Sequence, residues 1–228
     1  ETAKGKAHLL VKEPGIISGI EVAKSVFKLV DADIRLEIFM RDGQNVSPGD
    51  IVFIAKGSSQ SLLKAERLML NLMQRMSGIA TTTQKYVRLT EDTKAQVLDT
   101  RKTTPNLRAF EKQAVLHGGG TNHRFGLYDM IMIKDNHIDF AGGIKQALQK
   151  ATDYNRTKNF NLKIEIEARN LNEVQQVLES GLGNRIMLDN FNYADTKTAV
   201  QLIDGKYETE SSGGITLDTI AGYAKCGM

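Results

Sequence analysis

Polar residues that could do chemistry end or follow five short apolar runs of the sequence. The runs cover residues 96–98, 130–133, 163–166, 185–188 and 206–209, and the polar groups cover 100–103, 134–137, 165 with 167, 189–190 and 210–214. In α/β barrels the carboxyl ends of several strands build one active site together. A single charged residue at a strand end is as often a solvated loop residue. Five such groups at equivalent places nevertheless predict a catalytic site.

Two carboxylates in the third run are the most informative of these residues. The sequence Ile164-Glu165-Ile166-Glu167 alternates, so Glu165 and Glu167 share one face of a strand that a barrel would bury on both faces. A buried carboxylate needs a cation, a metal ion or hydroxyl groups as partners. The pattern therefore favours a functional role for these carboxylates over a structural one.

Cationic side chains gather near the same predicted strand ends. Arg101, Lys102 and Arg124 carry fixed positive charges, and His123 is a further hydrogen-bond donor. The planar guanidinium group suits carboxylates and phosphates. Because Glu and Asp side chains are also present for hydroxyl groups or Mg²⁺, we expect a site for a polyanion with both carboxylate and phosphate groups.

A glycine pair supplies a candidate phosphate site. Ser212, Gly213 and Gly214 precede Ile215 and a helix that we expect to begin near Thr216. Backbone N–H groups at a helix N-terminus bind phosphate, although glycine pairs are also common in ordinary turns.

Three histidines raise the alternative of a metal centre. His117, His123 and His137 match no compact zinc motif, and no cysteine lies near them in the sequence. The sequence therefore disfavours catalytic zinc.

Helices between the apolar runs must position these groups. Alternation of short strands with helices predicts parallel pairing. Thr104-Pro105 predicts the start of a helix and glycines 118–120 predict its end. Further helices are predicted over 144–151, 171–178 and 217–224.

The first part of the chain has a different pattern. Strand-like segments around turn signals, with one helix over 19–29, predict a small α+β unit over residues 1–56. Apolar residues at helical spacing predict a helix over 61–76 that buries one side. We expect an N-terminal domain over 1–60 and a catalytic domain over 61–228.

Composition excludes several functional classes. Of 228 residues, 41% are hydrophobic, and no apolar run approaches the ~20 residues of a membrane span. A net charge of +3 argues against nucleic acid as a partner. The single cysteine, Cys226, excludes an internal disulfide, and with no signal-peptide pattern we expect a cytoplasmic protein. Because the chain begins at Glu1 without Met, we expect a fragment of a longer protein.

An ordered set of motifs resembles the quinolinate phosphoribosyltransferase family over nearly the whole chain. Each motif is short, but their order along one chain is highly specific. The motifs are AER with NL (65–67 and 71–72), SGIAT (77–81), DTRKTTP (99–105), GGGTNHR (118–124), IKDNH (133–137), IEIE (164–167), MLDNF (187–191) and SGGI (212–215).

The resemblance implies a fold and a reaction. The fold is an N-terminal α/β sandwich followed by an open, seven-stranded, TIM-like α/β barrel, here truncated at both ends because the family's N-terminal helical stretch and last barrel strand are missing. The reaction converts quinolinate and phosphoribosyl pyrophosphate into nicotinate mononucleotide, pyrophosphate and CO₂ with Mg²⁺, in NAD biosynthesis.

The resemblance also implies roles for individual residues. Cationic residues should hold the two quinolinate carboxylates, with one of them reaching in from a partner subunit of a homodimer or larger assembly. Two lysines should meet the substrate and the phosphates, two carboxylates should hold the ribose hydroxyls and Mg²⁺, and a glycine turn should bind the 5-phosphate. The carboxylate ligands are Arg101, His123 and Arg124, with Arg67 in trans. The two lysines are Lys102 and Lys134, and the two carboxylates are Glu167 and Asp189. The glycine turn consists of Ser212, Gly213 and Gly214.

Two other functions stay open from the residues alone. Lys134 at a strand end could form a Schiff base in an aldolase, although the nearby fixed cations match an oxidised diacid better than a neutral carbonyl. An RNA- or nucleotide-binding module is a second alternative, and it predicts salt-sensitive affinity for polynucleotides.

Overall fold

The computed structural model describes residues 3–228, which divide into two compact units. The first unit runs through Arg88 and continues over Gln96–His123, and the second comprises Leu89–Ala95 and Arg124–Met228. None of the described helices is long and apolar enough to cross a membrane. The predicted domains 1–60 and 61–228 divide the chain differently and stay a prediction.

The first unit combines a small antiparallel sheet with three helices. The elements are β1 (Lys4–Leu10), β2 (Gly15–Ile16), α1 (Ile20–Val30), β3 (Arg35–Ile38), β4 (Asn45–Val46), β5 (Ile51–Ser58), α2 (Ser59–Arg88) and α3 (Arg108–His117). The strands form a sheet in the order β1-β5-β3 and a separate β2-β4 pair. Phe27 of α1 packs edge to face on Phe53 of β5 with ring centroids 5.9 Å apart, so the apolar side of α1 forms a core with this sheet.

Helix α2 extends the predicted helix 61–76 by twelve residues at its C-terminal end. Its buried positions continue through Ala80 and Thr83 at helical spacing. Ser77 Oγ receives the N–H of Ser18 at 3.0 Å and donates to its carbonyl oxygen, which fixes this part of the helix. The helix therefore continues through Gly78 without a break.

Two predictions in the first unit were wrong. Residues 96–98 form no strand, because Leu98 makes only an isolated bridge to Thr121. Helix α3 begins at Arg108 rather than at Thr104-Pro105, since Asn106 adopts a left-handed conformation with φ of 64° that interrupts a helix. The predicted end is confirmed, with Gly118 directly after the last helical residue.

The second unit is an α/β structure with a parallel sheet, which confirms the predicted strand pairing. The elements are β6 (Ile131–Ile133), α4 (Asp135–Ala141), α5 (Ile144–Thr157), β7 (Ile164–Ala168), α6 (Leu171–Ser180), β8 (Arg185–Asp189), α7 (Tyr193–Ile203), β9 (Glu208–Ser212) and α8 (Ile220–Ala224). Neighbours in sequence are neighbours in the sheet, in the order β6-β7-β8-β9. Four of the five predicted apolar runs thus contribute strands to this sheet.

The two faces of this parallel sheet differ in chemistry. On one face the apolar residues of the strands pack with the helices in a single core, as Ile166, Ile186 and Leu188 illustrate. The alternate residues, which point to the other face, include Glu165 and Glu167. Further members of that face by register are Met132, Arg185, Met187, Asp189, Glu208, Glu210 and Ser212. The predicted alternation therefore places a row of charged residues on one side of the sheet.

Candidate active site

A buried ion pair organises the part of the candidate site that lies in the first unit. The Lys112 ammonium lies 2.5 Å from Asp99 Oδ1 and donates to the His123 carbonyl oxygen at 2.9 Å. Asp99 Oδ1 also accepts the N–H of His123 at 2.9 Å. Asn122, with its amide nitrogen turned toward Asp99, donates to Oδ2 at 2.6 Å. Segments 99–102 and 121–123, which carry two predicted quinolinate ligands, are thereby joined.

Arg101 lies two residues after Asp99, and its guanidinium makes no ion pair in the described part of the chain. Its Nε atom is buried and has no hydrogen-bond partner among residues 3–228. The turn around it is fixed, because the Lys102 N–H donates to Thr100 Oγ1 at 3.0 Å and Arg108 donates to the Arg101 carbonyl oxygen at 3.3 Å. Lys102 itself is exposed. This turn thus presents one partly buried and one exposed cation.

A second ion pair ties the following segment to α2 and α3. Arg75 Nε donates to Glu111 Oε1 at 2.8 Å, and the Thr104 N–H donates to Glu111 Oε2 at 3.3 Å. Burial acts to raise the pKa of Glu111, but the hydrogen bonds from Arg75 and Thr104 outweigh it and hold that pKa below its usual value. Glu111 therefore stays ionised and anchors the chain that follows Arg101.

Arg67 lies on the exposed side of α2. Two leucines on the same side, Leu63 and Leu68, are also largely exposed. No ion pair or hydrogen bond engages the Arg67 side chain in the described part of the chain. Its predicted role in a partner's site stays a prediction.

In the second unit, Lys134 and Glu167 meet at the carboxyl edge of the parallel sheet. Ile133 pairs with Ile166, so the next residues of β6 and β7 are neighbours. Lys134 Nζ lies 3.1 Å from Glu167 Oε1, and the Asp135 N–H donates to Oε2 at 3.2 Å. Glu167 is therefore fixed by a cation and a backbone N–H, the kind of partners that a buried carboxylate needs.

Asp189 ends the neighbouring strand β8 on the same face as Glu167. Its register partner on β9 is Ser212. Asn190 Nδ2 donates to Asp189 Oδ2 at 2.8 Å, and the Asn190 N–H donates to the Ser212 carbonyl oxygen at 2.8 Å. The structure thus brings Lys134, Glu167, Asp189 and Ser212 to one edge of the sheet.

The glycine turn after β9 does not lie at a helix N-terminus, which corrects the sequence prediction. Helix α8 begins at Ile220 rather than near Thr216, and residues 217–219 form turns instead. Gly213 and Gly214 have φ of 97° and 63°, a conformation that glycine adopts without strain. Neither glycine N–H donates a hydrogen bond within residues 3–228. Consecutive N–H groups of this kind form an anion-binding concavity without a helix.

Arg124 begins the irregular segment that leads to β6. Its guanidinium donates to the Met130 carbonyl oxygen at 3.4 Å and approaches the Met132 sulfur at 3.3 Å. Met132 belongs to the charged face of the sheet by register. The guanidinium of Arg124 is therefore held next to that face.

An ion-pair network lies at the amino end of the same face. Arg185 donates to Glu208 at 2.6 Å and Glu210 at 3.3 Å, and it lies 3.9 Å from the fully buried Glu165. Burial acts to lower the pKa of Arg185, but the hydrogen bond to Glu208 and the charges of Glu165 and Glu210 raise it overall. Glu165 is thus part of a structural network, whereas Glu167 lies at the carboxyl edge.

Sequence reasoning missed the pair that supports Arg101 and His123. Asp99 belongs to a recognised motif, but Lys112 lies within a helix where a lysine is ordinarily solvated. The only signal for Lys112 is its place on α3 close to buried Glu111 and Ala114. Its partner could not be identified without the tertiary structure.

The chain matches the two domain models of one known protein family over nearly its whole length. Residues 1–77 match the model of the quinolinate phosphoribosyl transferase N-terminal domain, and residues 79–228 match that of the C-terminal domain. The chloroplastic nicotinate-nucleotide pyrophosphorylase (carboxylating) of Arabidopsis thaliana is 43% identical over 98% of this chain and 68% of its own length. A mitochondrial quinolinate phosphoribosyltransferase (decarboxylating) of Nicotiana glauca is 42% identical over 97% of this chain and 67% of its own.

Solved structures give the same result. The nicotinate-nucleotide pyrophosphorylase of Francisella tularensis superimposes with a TM-score of 0.93 at 39% identity, covering all of this chain and 79% of that one. The chain spans about two thirds of the length of the curated plant relatives. Because both domain models match and the plant relatives are at least 42% identical over 97–98% of this chain, the chain belongs to the quinolinate phosphoribosyltransferase family.

Proposed function

We propose that this protein transfers the phosphoribosyl group of phosphoribosyl pyrophosphate to quinolinate, with loss of CO₂, to give nicotinate mononucleotide and pyrophosphate in NAD biosynthesis. The observation that carries the proposal is the set of charged groups at the carboxyl edge of the parallel sheet, in a chain that matches the family in both domains. The open, seven-stranded, TIM-like barrel is part of the proposal. It is supported by a four-stranded parallel sheet with one apolar and one charged face.

Arg101, His123 and Arg124 hold the two quinolinate carboxylates in this proposal. The buried and unpaired Nε of Arg101 supports the role, because a guanidinium that makes no ion pair with any described residue is available to an anionic ligand. By contrast, Arg75 is committed to Glu111. Lys102, exposed on the same turn, meets the substrate and the phosphates together with Lys134.

Glu167 and Asp189 serve the ribose of phosphoribosyl pyrophosphate. Ribosyl transfer passes through a state with positive charge on the ribose, and fixed carboxylates stabilise such charge. The Lys134 ion pair and the Asp135 N–H keep Glu167 in one orientation, so little reorganisation is needed during the reaction. Lys134 supplies positive charge beside the departing pyrophosphate.

Mg²⁺ fits the donor chemistry of the same edge. Glu167 and Asp189 offer carboxylate oxygens on adjacent strands and on one face of the sheet. Mg²⁺ takes oxygen ligands and is usually held by one or two carboxylates together with water and substrate phosphates. When bound there, Mg²⁺ would neutralise charge on the pyrophosphate.

The glycine turn binds the 5-phosphate in this proposal. Ser212 ends β9, and the N–H groups of Gly213 and Gly214 have no backbone partner in the described part of the chain. A Cβ atom added to Gly214 would meet open space, which leaves room for a ligand at the turn.

Decarboxylation needs no dedicated base, because the pyridinium ring formed by ribosylation accepts the electron pair.

The active form is a homodimer or larger assembly in which Arg67 completes the partner's site. The exposed position of Arg67 beside exposed Leu63 and Leu68 supports a contact face on α2. A cytoplasmic location stays a prediction.

The aldolase alternative is less well supported. Lys134 Nζ is engaged by Glu167 at 3.1 Å, so the amine that would form a Schiff base is already in an ion pair. Borohydride in the presence of a carbonyl substrate should leave Lys134 unmodified.

A direct assay tests the proposed reaction. Purified protein incubated with quinolinate, phosphoribosyl pyrophosphate and Mg²⁺ should release CO₂ and pyrophosphate in equal amounts and form nicotinate mononucleotide. Glu167→Gln should lower kcat by at least about a hundredfold, since one of the two edge carboxylates loses its charge. Unchanged quinolinate with the unmodified protein would remove the proposal.

A further inference from the structure

Two buried ionisable groups in the first unit have no part in the proposed chemistry. The side chain of Lys112 is 2% exposed and that of Asp99 is 7% exposed. Buried lysine and aspartate side chains are rare unless paired. Because the Lys112 ammonium is engaged by Asp99 and by the His123 carbonyl oxygen, it acts on other residues rather than on a substrate.

The pair joins the two segments that carry the first unit's anion-binding residues. Asp99 lies two residues before Arg101, and its carboxylate receives the N–H of His123 at 2.9 Å. The ammonium of Lys112 reaches the carbonyl oxygen of the same residue, so both sides of His123 are held by one ion pair. Asn122 adds donors to Asp99 and to the Lys112 carbonyl oxygen, at 2.6 and 2.9 Å.

Tight backbone packing leaves this arrangement little freedom. A Cβ atom added to Gly120 would lie 2.8 Å from Thr83 Cγ2 and 2.8 Å from Val115 Cγ1. The chain between α3 and His123 is therefore pressed against α2 and α3. A change at Lys112 must be absorbed at His123 and Asp99, where its hydrogen bonds end.

We propose that Lys112 is a positioning residue for quinolinate, which acts through Asp99 to hold Arg101 and His123 in one fixed geometry. The proposal rests on the proposed function, since it assigns the two cations to the carboxylates of that substrate. It predicts an effect on quinolinate that phosphoribosyl pyrophosphate does not share, because the ribose and phosphate groups are assigned to the second unit except for Lys102. The exposed Lys102 side chain makes no hydrogen bond to the Lys112–Asp99 pair within residues 3–228.

Two variants separate positioning from folding. Lys112→Met leaves Asp99 buried without its cation, so this single variant is expected to be less stable. In the double variant Lys112→Met, Asp99→Asn, both buried charges are gone, and the amide oxygen introduced at position 99 can still accept the His123 N–H. The anchor on the His123 carbonyl oxygen is nevertheless lost in both.

We expect KM for quinolinate to rise at least tenfold in the double variant, with KM for phosphoribosyl pyrophosphate within twofold of the parent. As a matched control, Phe53→Leu disturbs a buried residue of the same unit, and it should lower the melting temperature without changing either KM. A double variant with the parent's KM for quinolinate, or with both KM values raised equally, would overturn the proposal.

Hydrogen exchange gives a readout that does not depend on activity. In the double variant a neutral amide oxygen accepts the His123 N–H more weakly than the carboxylate did, and the anchor on the His123 carbonyl oxygen is gone. The amide proton of His123 should therefore exchange at least tenfold faster than in the parent, while that of Ala55 in β5 is unchanged. Equal acceleration at both amides would mean a general loss of stability and would contradict positioning. If instead the parent protein fails to consume quinolinate, the proposed function is at fault, and the exchange data still show whether Lys112 holds His123.

Discussion

Replacement of Gly213 by alanine tests the geometry of the glycine turn at the end of β9. A Cβ atom at this position would lie 2.6 Å from Asn190 Cγ and 3.0 Å from the Asn190 backbone nitrogen. Asn190 would have to move, and it carries hydrogen bonds to Asp189 and to the Ser212 carbonyl oxygen. The substitution should therefore disturb the phosphate turn and Asp189 together.

The expected magnitude follows from two effects. An L residue with positive φ is strained by about 1–2 kcal/mol, and overpacking adds about 1–3 kcal/mol. Gly213→Ala should thus lower the free energy of unfolding by about 2–5 kcal/mol. Gly214→Ala is the matched control, because its Cβ would meet open space and only the strain of about 1–2 kcal/mol applies.

The catalytic consequence is measured with both substrates. Loss of one charged hydrogen bond to the 5-phosphate, worth about 1.5–3 kcal/mol, should raise KM for phosphoribosyl pyrophosphate about 10- to 150-fold in Gly213→Ala. KM for quinolinate should change little. Denaturant unfolding measures the loss in the free energy of unfolding, and steady-state kinetics measures the rise in KM for phosphoribosyl pyrophosphate. The reasoning is refuted if Gly213→Ala resembles Gly214→Ala in both quantities.

Three further outcomes are expected. Arg101→Ala should weaken quinolinate binding by about 1.5–3 kcal/mol per charged hydrogen bond lost and spare phosphoribosyl pyrophosphate, measured by calorimetric titration; equal losses for both ligands would contradict this division. Mixed Arg67→Ala and Glu167→Ala subunits should recover about a quarter of the parent activity per site through random exchange in a two-fold dimer, and verified exchange without recovery would place Arg67 in its own chain's site or in none. Arg75 and Thr104 lower the pKa of Glu111 in the folded protein. The ionised carboxylate therefore stabilises the fold at pH values above the unfolded pKa near 4.5, and this stabilisation is lost as pH falls through the folded pKa. Glu111→Gln should therefore be less stable than the parent by about 1–2 kcal/mol at about pH 7. This difference in thermal unfolding should disappear as pH falls through the lowered folded pKa; a difference that does not change with pH would rule out the ion pair as its source.

The alternation of side chains along a strand predicted the strand that carries Glu165 and Glu167. The sequence Ile164-Glu165-Ile166-Glu167 forms a fully buried strand with its carboxylates on one face, as expected. The short helix Asp135–Ala141 was not predicted, because seven residues give too little helical periodicity. The helix predicted to begin at Thr104-Pro105 begins only at Arg108, because Asn106 adopts a left-handed conformation. Asparagine permits this conformation but does not require it, so the residue type alone could not predict it.

Parts of the candidate site that depend on long-range contacts could not be predicted in this way. Lys134 and Glu167 were each expected at strand ends, yet their 3.1 Å contact follows from the register of β6 and β7. The Lys112–Asp99 pair joins α3 to a residue 13 positions earlier in the chain. Neither pairing leaves a periodic signal in the sequence.

A crystal structure with bound quinolinate tests the central claim most directly. We expect the two carboxylates of quinolinate to contact Arg101, His123 and Arg124, and the Lys112–Asp99 ion pair to be intact. Quinolinate bound away from these three side chains, or Arg101 still without an anionic partner in the complex, would contradict the proposed site.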